Sequence, residues 1–467
     1  MKKHILSILT ALTLAGGAIA AAEAPKYIFY YIGDGMGMGP IMAAESYWRE
    51  IRGEEKPLNM MQMSVAGWTR TFSASSPVTD SAAAGTALST GSKTRNGMLG
   101  QDADSLDVTS VARICKDRGM GVGVLTSVAA DDATPGAFYA HVPYRKMFYD
   151  IDCALAASGY DFVGGAGIQG TSDKDGAPTD VASRLASEKV QVLYGPGAID
   201  SIGDGRVLLL NYEGSRPWNV GYTIDSIGSQ TLNLPQMTRT CLAHLEKRAP
   251  QGFFMMVEGG NIDHALHGND GGAAIKEILN FDEAIGVAFD FYLAHPDETL
   301  ILVTADHDTG GMSLGNRALH YEAKLGLFDA QRISKEEFSE LCKGLLKSRR
   351  NYTWDDMKEI LTEKLGFFTV VPVSAEQETG LREQFEKTFH ERNSKDQETL
   401  YASFNAFAVD VFRILNDAAG VGFTTTSHTG NPVPVFAVGV GADRFKGFNN
   451  NTDLPRHILD ILNGKDL

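Results

Sequence analysis

Short apolar runs alternate with amphipathic segments along most of the 467-residue chain. The runs are rich in β-branched and aromatic residues, and each ends at a glycine, an acidic residue or a turn, which is typical of strands. Because the runs are apolar throughout, they predict strands that are covered on both faces. The pattern predicts an α/β fold, a three-layer sandwich with a mostly parallel central sheet. The predicted strands are Tyr27–Ile32, Gly121–Ser127, Val190–Tyr194, Val207–Leu210, Phe253–Val257, Leu300–Thr304 and Val433–Val438.

Acidic residues follow four of these predicted strands directly. In parallel sheets, ligands bind beyond the carboxyl ends of the strands, so these side chains are expected to meet at one edge. A single aspartate in a turn is unremarkable, but four such positions together predict a site. They are Asp34, Asp132 with Thr134, Glu258, and Asp306 with His307.

The pattern changes to helical periodicity over about 100 residues in the second half of the chain. Apolar positions three and four apart predict helices that pack as an insertion in the α/β core. Two roles for this insertion stay open, a cover over the site and a homodimer contact. The predicted division is a signal peptide over 1–20, the core over 21–314, the insertion over 315–421 and the rest of the core over 422–467.

The first twenty residues have the pattern of a secretory signal peptide. Lys2 and Lys3 are followed by an apolar stretch from Ile5 to Ala15 and by Ala18-Ile19-Ala20, an A-x-A cleavage site. The apolar stretch is too short to span a bilayer, and no other segment is long enough. We therefore expect a protein that is periplasmic or secreted, without a membrane span.

Acidic residues outnumber basic ones by 58 to 42, which gives a net charge of −16. This charge argues against nucleic acid or an anionic membrane as a partner. If the substrate is an anion, bound divalent cations would reverse the local field. The four cysteines allow three disulfide pairings, with free thiols as an equal alternative, and none has the spacing of a zinc knuckle.

The stretch from Val78 to Ala87 predicts a serine at the start of a helix. Pro77 keeps the entering chain extended, and the small helix-forming residues that follow predict a helix that begins at or just after Ser81. Unpaired N–H groups and the helix dipole make such a turn an anion site. Ser81 could attack a phosphorus or carbonyl centre if its proton were removed. The alternative is an ordinary N-cap serine.

Three histidine-containing motifs predict metal ligation. Asp263 and His267 stand four apart, so on a helix they share one face and can bind one metal. Histidine with carboxylate and without cysteine suits zinc or a similar metal in a hydrolytic site. Two neighbouring metals would activate the Ser81 hydroxyl and stabilise a leaving oxygen. The other two motifs are Thr304-Ala305-Asp306-His307 and Ser427-His428-Thr429-Gly430.

A phosphate substrate also requires a planar bidentate donor, for which Arg145 is the candidate. The alternative is a surface arginine.

Taken together and in order, these motifs resemble those of the alkaline phosphatases. The resemblance runs from about Tyr27 to Gly315 and resumes near Thr424. Several separated motifs in one order are far more specific than any single one. They are Thr79-Asp80-Ser81-Ala82-Ala83, Asp132-Ala133-Thr134-Pro135, Val257-Glu258-Gly259, Ile262-Asp263 with His267, Thr304-Ala305-Asp306-His307 and His428-Thr429-Gly430.

The resemblance implies a phosphate monoester hydrolase with two Zn²⁺ ions, one Mg²⁺ ion and a phosphoserine intermediate. Arg145 would clamp the phosphate, with Ser81, Asp132 and His264 also contacting the substrate. Asp132 is similar to the enteric bacterial type and His264 to the animal type. The implied ligands are Asp263, His267 and His428 for the first zinc, Asp34, Asp306 and His307 for the second, and Asp34, Thr134 and Glu258 for magnesium.

Four other functions compete with this interpretation. A sulfatase would need Pro and Arg after its nucleophile, but three alanines follow Ser81. A related phosphodiesterase usually has Thr as nucleophile and lacks the arginine. A cofactor-independent phosphoglycerate mutase shares the metal scheme, but the export signal argues against it. An exported metal- or phosphate-binding protein would need the ligands without Ser81.

Overall fold

The structure, a computed structural model, describes residues 24–225, 230–348 and 350–465. Ten strands form one large sheet, and six two-residue strands form three small pairs. All the predicted strands are present, and each lies in the large sheet. The strands are β1 Tyr27–Gly33, β2 Val65–Arg70, β3 Gly121–Thr126, β4 Phe162–Gly165, β5 Val190–Tyr194, β6 Arg206–Leu210, β7 Phe253–Gly259, β8 Thr299–Ala305, β9 Asp308–Thr309, β10 Ser313–Leu314, β11 Gln397–Glu398, β12 Ser403–Phe404, β13 Val421–Gly422, β14 His428–Thr429, β15 Val433–Gly439 and β16 Gly447–Asn450.

The large sheet is mostly parallel, as predicted. Its strand order is β16-β2-β15-β8-β1-β7-β3-β4-β6-β5. The run from β8 to β5 is parallel throughout, and β15 is antiparallel to both β8 and β2. The central strands β8, β1, β7 and β3 therefore end at the same edge.

Helices cover both faces of the sheet, which gives the expected three layers. Side chains alternate along β1, so that Phe29 and Tyr31 face one hydrophobic cluster while Tyr30 and Ile32 face the other. The first cluster includes residues of α1, α7 and α9, and the second includes residues of α2, α3, α5 and α14. The helices are α1 Met38–Arg52, α2 Ser81–Thr90, α3 Val111–Asp117, α4 Ala133–Gly136, α5 Phe148–Ala157, α6 Val181–Ser187, α7 Leu234–Arg248, α8 Gly260–His267, α9 Gly271–Ala294, α10 Lys335–Lys347, α11 Trp354–Leu365, α12 Ala375–Phe385, α13 Ala406–Ala419 and α14 Asp453–Leu462.

The helix-rich segment leaves and rejoins the core at one place, where β10 pairs antiparallel with β13. Thr353 and Asp356 form a capping box at the start of α11, and Gly366 ends this helix with φ +69°. The apolar faces of α10 to α13 join the first hydrophobic cluster of the core. The segment also contains the β11–β12 hairpin, which its helical pattern does not predict.

The structure tests the predictions on the cysteines and on a membrane span, but not those on the signal peptide, the division of the chain or a homodimer. All four cysteines are free, and Cys115, Cys241 and Cys342 are buried. No helix in the described part of the chain is both long and apolar enough to cross a bilayer. The predicted signal peptide lies outside the described residues. The division of the chain into core and insertion stays a prediction, as does a homodimer.

Candidate active site

The carboxyl ends of four adjacent strands bring the predicted acidic residues together. Asp34 follows β1, Glu258 lies at the end of β7 and Asp306 follows β8. Gly35 lets the turn after β1 lie close to the turn after β8. Its N–H donates to Asp306 Oδ1 (3.0 Å), and its φ is +68°. A Cβ on Gly35 would lie 2.6 Å from Asp263 Oδ1, so only glycine fits this turn.

A small strand pair brings His428 to the site from 121 residues away in the chain. β9 and β14 are antiparallel, with His428 opposite Thr309 and Thr429 opposite Asp308. Thr429 Oγ1 also donates to Asp308 Oδ2 (2.5 Å) across this pair. As a result the rings of His307 and His428 stack with centroids 3.6 Å apart.

Ser81 is the first residue of α2 and is buried in the site. Asp80, and not Ser81, is the N-cap, since its Oδ1 accepts from the backbone N–H of Ala83 (3.0 Å). The Ser81 hydroxyl therefore makes no capping bond. Its Oγ lies 3.2 Å from Nε2 of His307. The N-cap alternative for Ser81 is wrong, because the preceding aspartate takes that role.

The rings of His267 and His428 face each other with their Nε2 atoms 3.0 Å apart. Nδ1 of His267 lies 2.6 Å from the Thr426 carbonyl oxygen, and Nδ1 of His428 lies 2.8 Å from that of Thr79. A carbonyl can only accept, so each Nδ1 carries a proton, and in the neutral ring each Nε2 presents a lone pair. Two lone pairs at this distance repel each other unless a cation lies between them.

Asp263 completes this group, as its spacing from His267 predicts. Both lie on α8, and Asp263 Oδ2 is 3.3 Å from His267 Nε2. Burial lowers the pKa of His267 and Asp263 raises it, with a net rise. Burial raises the pKa of Asp263 but the histidines lower it further, to well below its usual value. Both directions follow from the attraction between this carboxylate and the histidines.

His307 belongs to a second group on the other side. Thr309 Oγ1 donates to Asp263 Oδ1 (2.5 Å), so it accepts from Nδ1 of His307 (3.1 Å). Nε2 of His307 again presents its lone pair, 3.2 Å from Asp34 Oδ1 and 3.2 Å from Asp306 Oδ2. Carbonyls and a hydroxyl thus orient all three rings, which is the arrangement of metal-binding histidines.

The ligand atoms form two clusters that could each hold a metal ion. In each cluster the atoms lie within 4.8 Å of one another. One is Asp263, His307 and His428, and the other is Asp34, Asp306 and His307. His267 adjoins the first through its contacts with Asp263 and His428.

Several buried oxygens in the site accept no hydrogen bond within the described part of the chain. They include Asp34 Oδ1, Asp306 Oδ2 and Thr134 Oγ1. Burial and then Asp306 raise the pKa of Asp34 well above its usual value. Burial and then Asp263 raise the pKa of Asp306 to about 7, and burial raises that of Glu258 to about 8. Buried oxygens without partners are costly, so these atoms fit a bound cation.

Arg145 is held by two carboxylates, one of them the N-cap residue of α2. Its Nη1 is 3.4 Å from Asp80 Oδ2, and its Nη2 is 3.1 Å from Asp132 Oδ1. The side chain is 12% exposed, so the surface-arginine alternative is wrong. Asp80 therefore caps α2 with one oxygen and holds Arg145 with the other.

Tyr401 is a site residue that the sequence analysis missed. Its ring lies over His264 with centroids 4.0 Å apart, and its hydroxyl is 3.3 Å from Nη2 of Arg145. Burial lowers the pKa of His264, whose Nε2 has no hydrogen-bond partner in the described chain. Tyr401 comes from the helix-rich segment and has no motif around it, so no sequence signal points to it. The N-cap role of Asp80 could have been predicted, because aspartate is a preferred residue directly before a helix.

All the predicted site residues therefore converge on the edge of the sheet beside Ser81. Their roles as ligands and catalytic groups stay predictions. The arrangement combines a buried serine, two candidate metal clusters and an arginine that is paired with the residue before that serine.

Known proteins are similar to this chain in sequence and in fold. A sequence model described as alkaline phosphatase matches residues 25–198 and 216–463. Alkaline phosphatase 4 of Bacillus subtilis (strain 168) is 29% identical over 490 aligned residues, which cover 99% of this chain and 97% of that protein. Alkaline phosphatase of Schizosaccharomyces pombe is 24% identical and covers 94% of this chain and 82% of its own.

Two crystal structures show the same similarity in three dimensions. The cold-active alkaline phosphatase of a psychrophilic Shewanella sp. has a TM-score of 0.78 and 29% identity, covering 93% of this chain and 99% of its own. The Thermus thermophilus alkaline phosphatase, at 24% identity and a TM-score of 0.78, covers 98% of this chain and 96% of its own and shares the fold. This chain belongs to the alkaline phosphatase family of phosphate monoester hydrolases.

Proposed function

We propose that this protein is an exported alkaline phosphatase whose phosphoserine intermediate forms on Ser81, at a site for two Zn²⁺ ions and one Mg²⁺ ion. The observation that carries the proposal is the position of the Ser81 hydroxyl. It is free of capping bonds and lies 3.2 Å from His307 Nε2, and the adjacent Asp80 holds Arg145.

The donor sets support the metal assignment. Asp263, His267 and His428 would hold one zinc, because their lone pairs face one another around a common point. Asp34, Asp306 and His307 would hold the second beside Ser81. Nitrogen and carboxylate oxygen suit zinc in a hydrolytic site. When bound, such ions supply Lewis-acid chemistry and lower the pKa of an oxygen that they contact.

Magnesium fits the third set, which contains only oxygen donors. Asp34, Thr134 and Glu258 would hold it, and hard oxygen ligands are what this ion prefers. Thr134 Oγ1 and Asp34 Oδ1 have no hydrogen-bond partners in the described chain, which supports this assignment. Glu258 is also fixed by a hydrogen bond from the hydroxyl of Thr126.

Ser81 would lose its hydroxyl proton to water and attack the phosphorus of the substrate, forming the Oγ–P bond while the bond to the leaving alcohol oxygen breaks. That oxygen would take up a proton from water and leave as the alcohol. The dipole of α2 at its N-terminus would favour the negative charge of the phosphate. Water would then break the Oγ–P bond and release inorganic phosphate.

Arg145 would bind two non-bridging oxygens of the phosphoryl group. Asp80 and Asp132 hold its guanidinium beside the helix start, which orients the fork before substrate arrives. Asp132 and His264 complete this side of the substrate site. A diester has one fewer charged oxygen for the fork, so the arrangement favours monoesters.

Export is proposed from the sequence of the first twenty residues alone. A homodimer is likewise a prediction, made as one of two roles of the helix-rich segment.

The test is a comparison of hydrolysis rates for a chromogenic monoester and the matching diester. We expect a clear preference for the monoester and a phosphorylated peptide that contains Ser81 after acid quenching. Preference for the diester would favour the phosphodiesterase alternative, and metal binding without turnover would favour a binding protein.

A further inference from the structure

Tyr401 lies at the tip of a hairpin that the helix-rich segment extends over the site. β11 and β12 pair antiparallel, and the Thr399 N–H donates to the Ala402 carbonyl (2.9 Å), so that Leu400 and Tyr401 form the turn. Lys343 Nζ donates to the Ser403 carbonyl (2.6 Å) and fixes the hairpin to α10. The tip therefore has a defined position over the substrate site.

The two N–H groups on Nη2 of Arg145 already face two acceptors. Nη2 donates to Asp132 Oδ1 at 3.1 Å and to the Tyr401 hydroxyl oxygen at 3.3 Å. Nη1 donates to Asp80 Oδ2 at 3.4 Å. The guanidinium carries five N–H donors, and three of them are used in this way.

A bidentate contact with a phosphate always involves Nη2. The two planar forks of arginine use either Nε with Nη2 or Nη1 with Nη2, so each needs a hydrogen on that nitrogen. Since Asp132 and Tyr401 take both hydrogens, one of them must give way when the phosphate binds.

Tyr401 is the acceptor that yields more easily. It is a neutral phenol at the longer distance, whereas Asp132 makes a charge-assisted bond. Asp132 is also held by the N–H of Ala133 (2.7 Å) as the N-cap of α4. Burial raises the pKa of Tyr401 well above its usual value, so its hydroxyl stays neutral.

We propose that the Tyr401 hydroxyl competes with the phosphoryl group for Arg145 and thereby weakens the binding of inorganic phosphate. Tyr401 is a positioning residue, because it acts through Arg145 while the site is empty. In the absence of phosphate it satisfies a donor that would otherwise be buried without a partner. This role rests on the proposed function of Arg145 as the phosphate clamp. Its benefit is faster product release, a step that limits turnover in many enzymes.

The first experiment is Tyr401→Phe, which keeps the ring over His264 and removes only the hydroxyl. We expect inorganic phosphate to bind the metal-loaded protein about two- to tenfold more tightly, the range for one hydrogen bond. Titration calorimetry measures this without turnover, and the inhibition constant and KM should fall with it. The control is Tyr321→Phe, because Tyr321 is fully exposed in the same segment. Unchanged or weaker phosphate binding in Tyr401→Phe would overturn the proposal.

A double-mutant cycle separates this proposal from the proposed function. If Tyr401 acts through Arg145, Tyr401→Phe has no effect on phosphate binding in an Arg145→Ala background. An equal gain in both backgrounds would show that the phenol acts on the phosphate site by another route, and would refute the competition. If the wild-type protein did not hydrolyse monoesters at all, the proposed function would fail instead.

Discussion

The two sides of the candidate site satisfy their polar groups in opposite ways. On the histidine–carboxylate side, Nε2 lone pairs of His267 and His428 face each other at 3.0 Å, and buried oxygens such as Asp306 Oδ2 have no partner in the described chain. On the arginine side, Arg145 is paired with two carboxylates and a phenol. The groups of the first side suit a bound cation, whereas the charge of Arg145 on the second side is already paired within the protein.

Because of this difference, the histidine–carboxylate side needs a bound cation, whereas the arginine side does not. Like charges and lone pairs crowded in a buried space raise the free energy of the folded chain until a cation arrives. The arginine side contains its own positive charge and needs no such ion. Metal removal should therefore disrupt the histidine–carboxylate side, while substitutions on the arginine side should lower activity only in part.

The largest expected effect is that of chelation. Stripping the metals should abolish activity and lower the melting temperature, because bound cations stabilise the fold by linkage. Activity and thermal unfolding are measured after treatment with a chelator and again after addition of zinc and magnesium. Full activity in metal-free protein would contradict the need of the histidine–carboxylate side for cations. Better recovery of activity with another metal would change only the identity of the metals.

Ser81→Ala should lower kcat by about three orders of magnitude or more and remove the trappable phosphoenzyme. The fold should survive, because Asp80 and not Ser81 caps α2. The measurement is acid quenching with labelled substrate and mass analysis of the peptide that holds residue 81. Ser187→Ala on α6 is the control, and a labelled peptide elsewhere in the wild-type protein would identify a different nucleophile.

Arg145→Ala should lower kcat/KM by about ten- to a thousandfold, since each lost hydrogen bond to a charged group is worth about 1.5–3 kcal/mol. The remaining groups still hold the phosphate, so the loss is partial. Arg145→Lys should not recover the activity fully, because an ammonium has no planar fork. Monoester turnover should suffer more than diester turnover.

The control for Arg145 is Arg184→Ala, which removes an exposed ion pair with Asp180. Inorganic phosphate should inhibit the Arg145→Ala protein less than the wild type. Unchanged phosphate inhibition would show that the arginine side does not bind phosphate.

The smallest expected effect is a pH dependence that appears only without metal. Burial raises the pKa of Glu258 to about 8 and that of Asp306 to about 7, while both are near 4 in an unfolded chain. Between these values the folded state binds more protons, so the stability of the metal-free protein falls as pH rises from about 4 to about 8. The measurement is the melting temperature across this range, with and without metal.

Glu258→Gln should remove part of that fall in the metal-free protein, since an amide does not ionise. An equal slope in the metal-loaded protein would show that cations do not relieve the crowded carboxylates.

Much of this structure follows from local patterns in the sequence. The apolar runs predict strands of the sheet, because a strand buried on both faces must be apolar throughout. Asp263 and His267 share a helix face because they are four residues apart. The start of α2 at Ser81 follows from Pro77 and the small residues after it.

The sequence by itself determined seven of the ten strands of the large sheet, the helix start at Ser81 and the residue types that suit metals and phosphate, since each depends on neighbours a few positions away. Only the tertiary structure decided that β15 runs antiparallel, that β9 pairs with β14 and so stacks His428 on His307, and that a hairpin brings Tyr401 to Arg145. These contacts join residues more than 100 positions apart. They depend on which strands pair and how segments pack, and no local periodicity carries that information.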